Sequence, residues 1–213
     1  MISASVGGIW AQNNSTGYED AYAPITINAD TIRITAGEMG VVAMSQGTVT
    51  LNGNTYIKAP DVVLTRGGSI TTINKDGNHT VCLDGDINFN YDQATSGTSV
   101  DAIVDVTLSG TESYWIGNSK YSYTSATSVP ESDKLISTGL SVKLANGAQW
   151  NATEVKTVDE YDPDNKNYKY SGSGLSKVNT LTLVDGGVVN AGTALVSIGN
   201  LTIQGQGNKG CSD

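Results

Sequence analysis

Short units of alternating apolar and polar residues recur along most of the chain. Clear examples are Val104–Leu108, Leu140–Leu144 and Leu181–Leu183. Successive side chains of a β-strand point to opposite faces, so a period of two predicts strands with one buried face. Many units end in a turn signal such as Asn52-Gly53 or Asn146-Gly147. Helical periodicity is nearly absent, and the pattern therefore predicts an all-β protein.

Two pairs of units match each other along the chain. Gly8–Ala11 matches Gly40–Ala43, and Ile25–Ile32 matches Val49–Tyr56. Recurring strand units are typical of solenoids, in which each coil stacks on the next. A sandwich or barrel of hairpins competes with this reading, because Asn-Gly and Asp-Gly are also hairpin turns. The repeated offsets favour a right-handed parallel β-helix with coils of about 20 residues.

Alternation in stacked units also predicts which side chains face inward. The interior should be packed with Val, Ile and Leu. The two tryptophans Trp115 and Trp150 each follow a strand-turn unit, so both are predicted to be buried. The inward aliphatic positions are predicted to be Ile27, Leu51, Leu108, Leu144 and Leu183.

Two polar segments interrupt the alternation. Residues 118–138 are rich in Ser, Thr and Tyr, and residues 156–176 are charged and polar. Both are predicted to be loops or hairpins that project from the solenoid, where contact with partners is natural. We expect residues 1–213 to be one β-helix segment, and the start at Met1 suggests a fragment of a longer exported protein.

The charge balance excludes some classes of partner. The net charge is −9, from 21 acidic and 12 basic residues, and only Arg33 and Arg66 are arginines. Binding to nucleic acid requires clustered positive charge, which this sequence lacks. No stretch approaches the ~20 apolar residues of a membrane helix, so we expect no membrane insertion by this segment.

The two cysteines give little support for a disulfide framework. Cys82 lies in the apolar run Val81-Cys82-Leu83 and is predicted to be a small core residue. Cys211 lies in a polar tail. A bridge between them is open, since the tail could fold back but nothing in the sequence requires it.

An ordered series of motifs in the second half of the chain resembles a known family. The runs in this series are Val106–Gly110, Trp115–Gly117, Leu144–Asn151, Val178–Leu183, Gly186–Val188 and Ile198–Gly205. Together they resemble the C-terminal part of autotransporter passenger domains of the pertactin-like β-helix type, and the resemblance covers about half of the chain.

The resemblance implies a passenger displayed on a bacterial cell surface or secreted through the outer membrane, often an adhesin. It also implies a C-terminal membrane barrel, which lies outside these residues. The chain departs from the family in the long polar segment 156–176, and its N-terminal half matches only the general repeat style.

Polysaccharide chemistry is one function open to a β-helix, because lyases and glycoside hydrolases also use this fold. A lyase needs a basic residue, and a hydrolase needs two facing carboxylates. Asp84 and Asp86 form the best local pair, but Asp-Gly-Asp is also ordinary turn chemistry. Arg33 and Arg66 have no acidic cluster beside them in sequence. Turn and edge positions are the preferred reading, and we expect no catalytic residues.

The sequence favours neither a metal site nor a catalytic nucleophile. Asp162, Asp164 and Asn165 are close together, but Lys166 breaks the alternation that a Ca²⁺ loop requires. His79 is the single histidine and lies in a turn-rich context, so a Ser-His-Asp triad is not favoured. We expect no metal and no cofactor.

Aromatic residues are the best candidates for binding. Tyrosine rings stack on sugars and anchor protein interfaces, although they also cover apolar gaps. The candidate residues are Tyr114, Tyr121, Tyr123, Tyr161, Tyr168 and Tyr170.

The sequence therefore favours a non-catalytic surface-contact module, an adhesin segment of a bacterial autotransporter. Its partner would be a protein or glycan on a host or neighbouring cell, and self-association is also open. A carbohydrate-active enzyme on a β-helix and a purely structural stalk are the alternatives.

Overall fold

The computed structural model describes residues 1–12, 24–92, 102–124, 139–162 and 167–205. For residues 91–92, 121–124, 155–162 and 167–175 the backbone alone is described. The strands are β1 Ile2–Ala4, β2 Gly7–Gln12, β3 Pro24–Ala36, β4 Met39–Met44, β5 Thr48–Thr65, β6 Ile70–Ile73, β7 Val81–Asp92, β8 Ile103–Ser109, β9 Tyr114–Gly117, β10 Ser119–Thr124, β11 Gly139–Ala145, β12 Gln149–Ala152, β13 Val155–Asp162, β14 Asn167–Val184, β15 Val188–Asn190 and β16 Leu195–Gln204.

These strands form one curled, largely parallel sheet, which confirms the all-β prediction. Within the described residues, β13 and β14 make the single antiparallel pair. Hairpin-joined strands would be antiparallel, so the Asn-Gly and Asp-Gly turns do not connect neighbouring strands of a sandwich.

The parallel pairs fall into three ladders, and the chain passes through them in turn. The first ladder contains β1, 31–36, 54–58, 81–84, β9, β12 and β15. The second contains β2, β4, 61–65, 86–92 and β10. Residues 175–178, which contact β10 through Ser176 and Ser119, continue this ladder and pair with residues 195–198. The third contains 24–28, 48–52, β6, β8, β11, 180–184 and 200–204. One passage through the ladders is called a level here.

Register between levels places similar side chains in columns. In the first ladder the buried residues Ile34, Ile57, Leu83, Trp115 and Trp150 are successive pairing partners. Alternation sends these side chains inward and their sequence neighbours outward. The core is therefore one column of apolar residues per ladder, continued from level to level.

The predicted inward positions lie in this core. Leu51, Leu108 and Leu144 are fully buried, and Ile27 and Leu183 are partly buried and pack against the same cluster. Ile27 and Leu183 are less covered because each lies near one end of the column, where fewer levels surround it. The separation between partners varies, from 20 residues for Leu175 and Leu195 to 39 for Asn151 and Asn190. The sequence suggested coils of about 20 residues, which matches the shortest levels, and the other levels are longer.

One predicted repeat match is correct in its first half and shifted in its second. Ile25 pairs with Val49 and Asn28 with Asn52, as the sequence match requires. After Asn28 the register slips by one residue, so that Ile32 pairs with Thr55 instead of Tyr56. Gly53 lies at the slip, where an added Cβ would be 1.9 Å from the carbonyl oxygen of Ala29. Because of the slip, β3 turns Ile25 and Ile27 inward before this point and Ile32 and Ile34 inward after it, whereas β5 keeps its alternation unbroken through Gly53.

Turns at the ends of the third ladder also stack on one another. Asn146 and Gly147 both have positive φ, as do Asp185 and Gly186. The backbone N–H of Asn146 donates to the carbonyl of Val184, and the backbone N–H of Asp185 donates to the carbonyl of Gln204. These turns redirect the chain from one ladder to the next, and backbone hydrogen bonds between levels hold them in place.

The stacked tryptophans are the largest fully buried side chains. The Trp115 and Trp150 rings are 4.7 Å apart between centroids, with planes only 8° apart. Trp115 Nε1 donates to Gly85 O at 2.9 Å, and Trp150 Nε1 donates to Gly117 O at 3.0 Å. Both indoles therefore bury their area without leaving the N–H unpaired. The prediction that both tryptophans are buried is confirmed.

The two polar segments differ in how they relate to the ladders. Ser119–Thr124 belong to the sequence-defined segment 118–138, yet they pair in parallel with β7 as part of the second ladder. In the segment 156–176, β13 and β14 pair as an antiparallel hairpin, and buried Ser176 returns to the second ladder beside Ser119. Whether these segments carry recognition stays a prediction.

Truncation of Trp150 tests the central column. Trp150→Ala should lower the free energy of unfolding by about 3 kcal/mol or more, because it removes a stacked, fully buried indole. Trp150→Phe keeps an aromatic ring and loses one hydrogen bond, so it should cost only about 1 kcal/mol for that bond plus some packing. Urea denaturation followed by circular dichroism measures both. Equal, small losses would mean that the indole contributes little.

A methyl group at Gly117 tests the close approach of successive levels. Gly117 has a φ of +154°, and an added Cβ would be 2.0 Å from Gly85 O. Gly117→Ala should therefore cost about 2 kcal/mol or more. Gly192→Ala is the control, since Gly192 also has positive φ but has open space around it; strain alone should cost about 1 kcal/mol there. Thermal melts that rank the two variants in the opposite order would contradict this account.

Candidate functional site

The structure distributes the six candidate tyrosines over three regions. Tyr114 lies on β9 of the first ladder and is 37% exposed. The backbones of Tyr121 and Tyr123 lie on β10 of the second ladder, beside Phe89 and Tyr91. Those of Tyr161, Tyr168 and Tyr170 lie in the β13–β14 hairpin, where Tyr161 pairs with Tyr168. The side chains of the last five lie outside the described atoms, so Tyr114 is the one around which a site can be built.

Tyr114 belongs to an outward row on the first ladder. The buried Ile, Leu and Trp of this ladder face inward, so the alternate positions lie on the outer side of the sheet. Among them Cys82 is nevertheless buried. Two neighbouring rows result, and together they are called the outer face of the first ladder. The first row is Arg33, Tyr56, Cys82, Tyr114 and Gln149, and the second is Thr35, Lys58, Asp84, Ile116 and Asn151.

Contacts between levels order the charged and aromatic groups of this face. The Arg33 guanidinium carbon lies 4.1 Å from the centre of the Tyr56 ring, a cation–π contact. In the second row, Lys58 Nζ and Asp84 Oδ2 are 2.8 Å apart. The hydrogen bond and negative charge of Asp84 raise the pKa of Lys58, so Lys58 stays protonated at neutral pH. The face thus offers fixed charges of both signs next to aromatic rings.

Tyr114 and Cys82 of this face keep their protons at neutral pH. Burial raises the pKa of Tyr114 above its ordinary value of 10.0, and the nearby Cys82 and Asp84 raise it further. Burial also raises the pKa of the Cys82 thiol, whose Sγ donates to the carbonyl of Glu112 at 3.4 Å. A thiol held protonated is a poor nucleophile, so Cys82 acts here as a packing residue.

A shallow open groove runs along the second row. Its volume is about 340 Å³, and it lies where the first ladder turns into the second. The Lys58–Asp84 pair is among the residues that line it. The lining residues are Thr35, Ala36, Lys58, Ala59, Pro60, Asp84 and Gly85.

The carboxylates weighed for hydrolysis are held apart by the corner at Gly85. Asp84 is on the outer face of the first ladder with Lys58, whereas Asp86 begins the second ladder and contacts Lys120. Each carboxylate is therefore engaged by its own lysine. Both ion pairs join neighbouring levels, one on each side of the corner.

Asp86 is part of a partly buried charged corner that the sequence analysis missed. Asp61 and Asp86 are pairing partners on adjacent levels, and Lys120 Nζ bridges them at 2.6 Å and 2.9 Å. Asn88 Nδ2 donates to Asp61 Oδ2 at 2.7 Å, and the Asn118 amide donates to Asp86 Oδ1 at 3.1 Å. Two like charges in adjacent positions are tolerated because the ammonium and these donors lie between and around them.

The remaining sequence candidates give no chemical site in the described structure. His79 lies in a turn closed by Asn74, whose Nδ2 donates to His79 O at 2.8 Å. No group of three or more His, Cys, Asp or Glu side chains within the described residues is placed to hold a metal ion. Asp164, Asn165 and Cys211 lie outside the described residues.

No described helix is long and apolar enough to cross a membrane. This observation concerns helices alone.

Sequence reasoning missed the Arg33–Tyr56 contact for a specific reason. The repeat match with its constant offset would have paired Arg33 with Ile57, an inward residue. The one-residue slip at Gly53 pairs Arg33 with Tyr56 instead. The sequence did carry one signal for the slip, namely Gly53 inside the alternating run, because a glycine within a strand pattern often marks a bulge.

Comparison with known proteins gave no significant match. No family model matches the chain, and no curated protein or solved structure is significantly similar to it. The resemblance to autotransporter passengers therefore remains a prediction from the sequence.

Removal of the Lys120 ammonium tests the charged corner. Lys120→Met should leave Asp61 and Asp86 side by side without their shared cation. Breaking a fully buried ion pair lowers the free energy of unfolding by more, but Lys120 is partly exposed, so we expect a loss of about 2 kcal/mol. Lys58→Met is the control, because its pair with Asp84 lies at the surface, with side chains 75% and 41% exposed, and should contribute little to stability. Urea melts of both variants at neutral pH measure the difference.

The same corner predicts how stability changes at high pH. Burial lowers the pKa of Lys120, but the hydrogen bonds and charges of Asp61 and Asp86 outweigh it, and the net shift is upward from 10.5. A raised folded-state pKa stabilises the protein fully below 10.5 and loses that effect as the pH rises through the higher folded value. The wild type should thus lose more stability than Lys120→Met above pH 10.5. Parallel pH profiles of the two proteins would refute this linkage.

Proposed function

We propose that this chain is a surface-displayed contact module, a segment of an exported bacterial passenger that binds a partner through the outer face of the first ladder. The observation that carries the proposal is the ordered row of Arg33, Tyr56 and Tyr114 beside the Lys58–Asp84 pair. These side chains come from four successive levels, and each is exposed or half-exposed.

The proposed fold in its finer form is a right-handed parallel β-helix. Its support is the order in which the chain visits the ladders, which is first, second, third at each level. Columns such as Ile34, Ile57 and Leu83 then correspond to stacked coils. A rigid stack of this kind keeps side chains from different levels at fixed spacing, about 4.8 Å between neighbouring strands.

Fixed spacing suits an extended ligand that lies across the strands. Aromatic rings provide stacking area with little loss of side-chain entropy, and the charged groups orient polar substituents. The partner class is therefore a glycan or an extended protein segment on a host or neighbouring cell. Each contact would be weak, and many copies on a surface would raise the overall avidity.

The export route follows from the sequence resemblance alone. As a passenger segment, the chain would be displayed at the bacterial cell surface or secreted through the outer membrane. The net charge of −9 favours a dispersed, soluble surface in that setting.

The binding test truncates side chains of the outer face and, as a control, an equally exposed side chain on another ladder. Tyr114 and Ile70 are each 37% exposed, on the first and third ladders respectively. Tyr114→Ala combined with Arg33→Ala should lower adhesion of protein-coated beads to cells at least tenfold, because it removes two anchors from one face. Ile70→Ala, the matched control, should leave adhesion unchanged.

A panel of immobilised glycans and cell-surface proteins then identifies the partner class. Loss of one class of signal in the double variant, with circular dichroism unchanged, supports the proposal. Equal adhesion by the wild type and the double variant would contradict it and favour a structural stalk. Cleavage of a polysaccharide by the wild type would instead favour the enzyme alternative.

A further inference from the structure

Arg33 is a cation of the outer face that forms no ion pair within the described residues. The cations of the ion pairs described for this structure are Lys58 and Lys120. Arg33 instead lies with its guanidinium carbon 4.1 Å from the centre of the Tyr56 ring. The second arginine of the chain, Arg66, directly follows residues 61–65 of the second ladder and contacts Asn90 Oδ1 at 3.5 Å. The positive charge of Arg33 is therefore available to an anion from outside.

The contact with Tyr56 orients the guanidinium without using its N–H donors. Those N–H groups lie in the plane of a guanidinium, so a ring packed against its face leaves its edge open. Two parallel N–H groups on that edge match the two oxygens of a carboxylate. A planar fork also loses less side-chain entropy per hydrogen bond than an ammonium on a flexible stem does. Arg33 thus presents an oriented site for a carboxylate.

The outer face is locally positive although the chain as a whole is acidic. The charged residues of its two rows are Arg33, Lys58 and Asp84, two cations and one carboxylate. Their net charge is +1, against −9 for the whole chain. Asp84 is already engaged by Lys58 at 2.8 Å. An anionic group that reaches Arg33 therefore meets no unpaired carboxylate within these two rows.

The backbone of the face favours a glycan over a peptide. Its inner strands, such as 54–58 and 81–84, pair with a neighbour on both sides. An extended peptide is commonly held by backbone hydrogen bonds at a free strand edge, which these paired inner strands do not offer. Sugar hydroxyls, in contrast, are bound by side chains. Here Lys58 provides a donor, Asp84 an acceptor, and Tyr114, which is 37% exposed, a ring for stacking.

We propose that the outer face of the first ladder binds glycans that carry carboxylate groups, and that Arg33 pairs with the carboxylate. This assignment depends on the proposed function, because it takes the outer face as the contact surface and names the class of ligand. Arg33 and Tyr114 are three pairing steps apart. Strands ~4.8 Å apart place them about 14 Å from each other, so the ligand is an oligosaccharide that crosses several levels.

The first experiment compares acidic oligosaccharides with their methyl esters, which keep the sugar and lose the charge. A short hyaluronan oligosaccharide supplies uronic acids, and a sialylated oligosaccharide supplies sialic acid. In isothermal titration calorimetry the wild type should bind an acid about tenfold or more tightly than its ester, because the ester loses the charge-assisted pair. Binding of one acid and not the other identifies the source of the carboxylate. Equal affinity for acid and ester, or binding of neither acid, would overturn the proposal.

The second experiment exchanges each arginine for lysine. Arg33→Lys keeps the charge and loses the fork, so its affinity for the acid should fall about tenfold or more, while its affinity for the ester stays the same. Arg66→Lys is the matched control and should bind like the wild type, with folding of both variants checked by circular dichroism. Equal effects of the two exchanges would contradict the role of Arg33. A poly-glutamate peptide that binds as tightly as the acids, with the same sensitivity to Arg33→Lys, would overturn the glycan class.

The two proposals fail in different ways. If Tyr114→Ala with Arg33→Ala lowers adhesion to cells while the wild type binds acid and ester alike, the contact function stands and carboxylate recognition is wrong. If this double variant adheres like the wild type while the acids bind through Arg33, the carboxylate site stands and the contact function is wrong.

Discussion

Register between parallel strands of successive levels is the constraint on which this structure depends. Once Ile57 is paired with Ile34 and Leu83 with Ile57, the direction of every other side chain in the first ladder is set. Side chains alternate between the two faces, so one residue of slip would exchange core and surface. The stacked pair Trp115 and Trp150, with each indole N–H bonded to a corner carbonyl, fixes this register over two levels.

The same constraint produces the polar features of the surface. Asp61, Asp86 and Lys120 are far apart in sequence and meet because their strands are neighbours at one corner. Arg33 and Tyr56 meet for the same reason on the outer face. In a parallel stack, each surface row is thus assembled from residues that lie one level apart, and a ligand that crosses the strands reads several levels at once.

A parallel stack also has two ends, and its ends differ from its sides. On the sides, charged groups such as Lys58 and Asp84 contact water and each other. At the first and last described levels, strands such as β1 and β16 pair on one side only within the described residues. Ile203 is exposed for this reason, although its neighbour in the column, Leu183, is partly buried.

The sequence by itself determined the strand content, the inward positions and the burial of both tryptophans. It could do so because alternation with a period of two is a local property, and residues such as Leu51, Leu108 and Leu144 show it within their own units. The tertiary structure decided which residues become neighbours across levels. Levels differ in length and the register slips at Gly53, so the partners of Arg33, Asp61 and Lys120 depend on pairing between distant segments. No local pattern encodes that pairing, and for this reason the outer face and the charged corner became visible only in the folded chain.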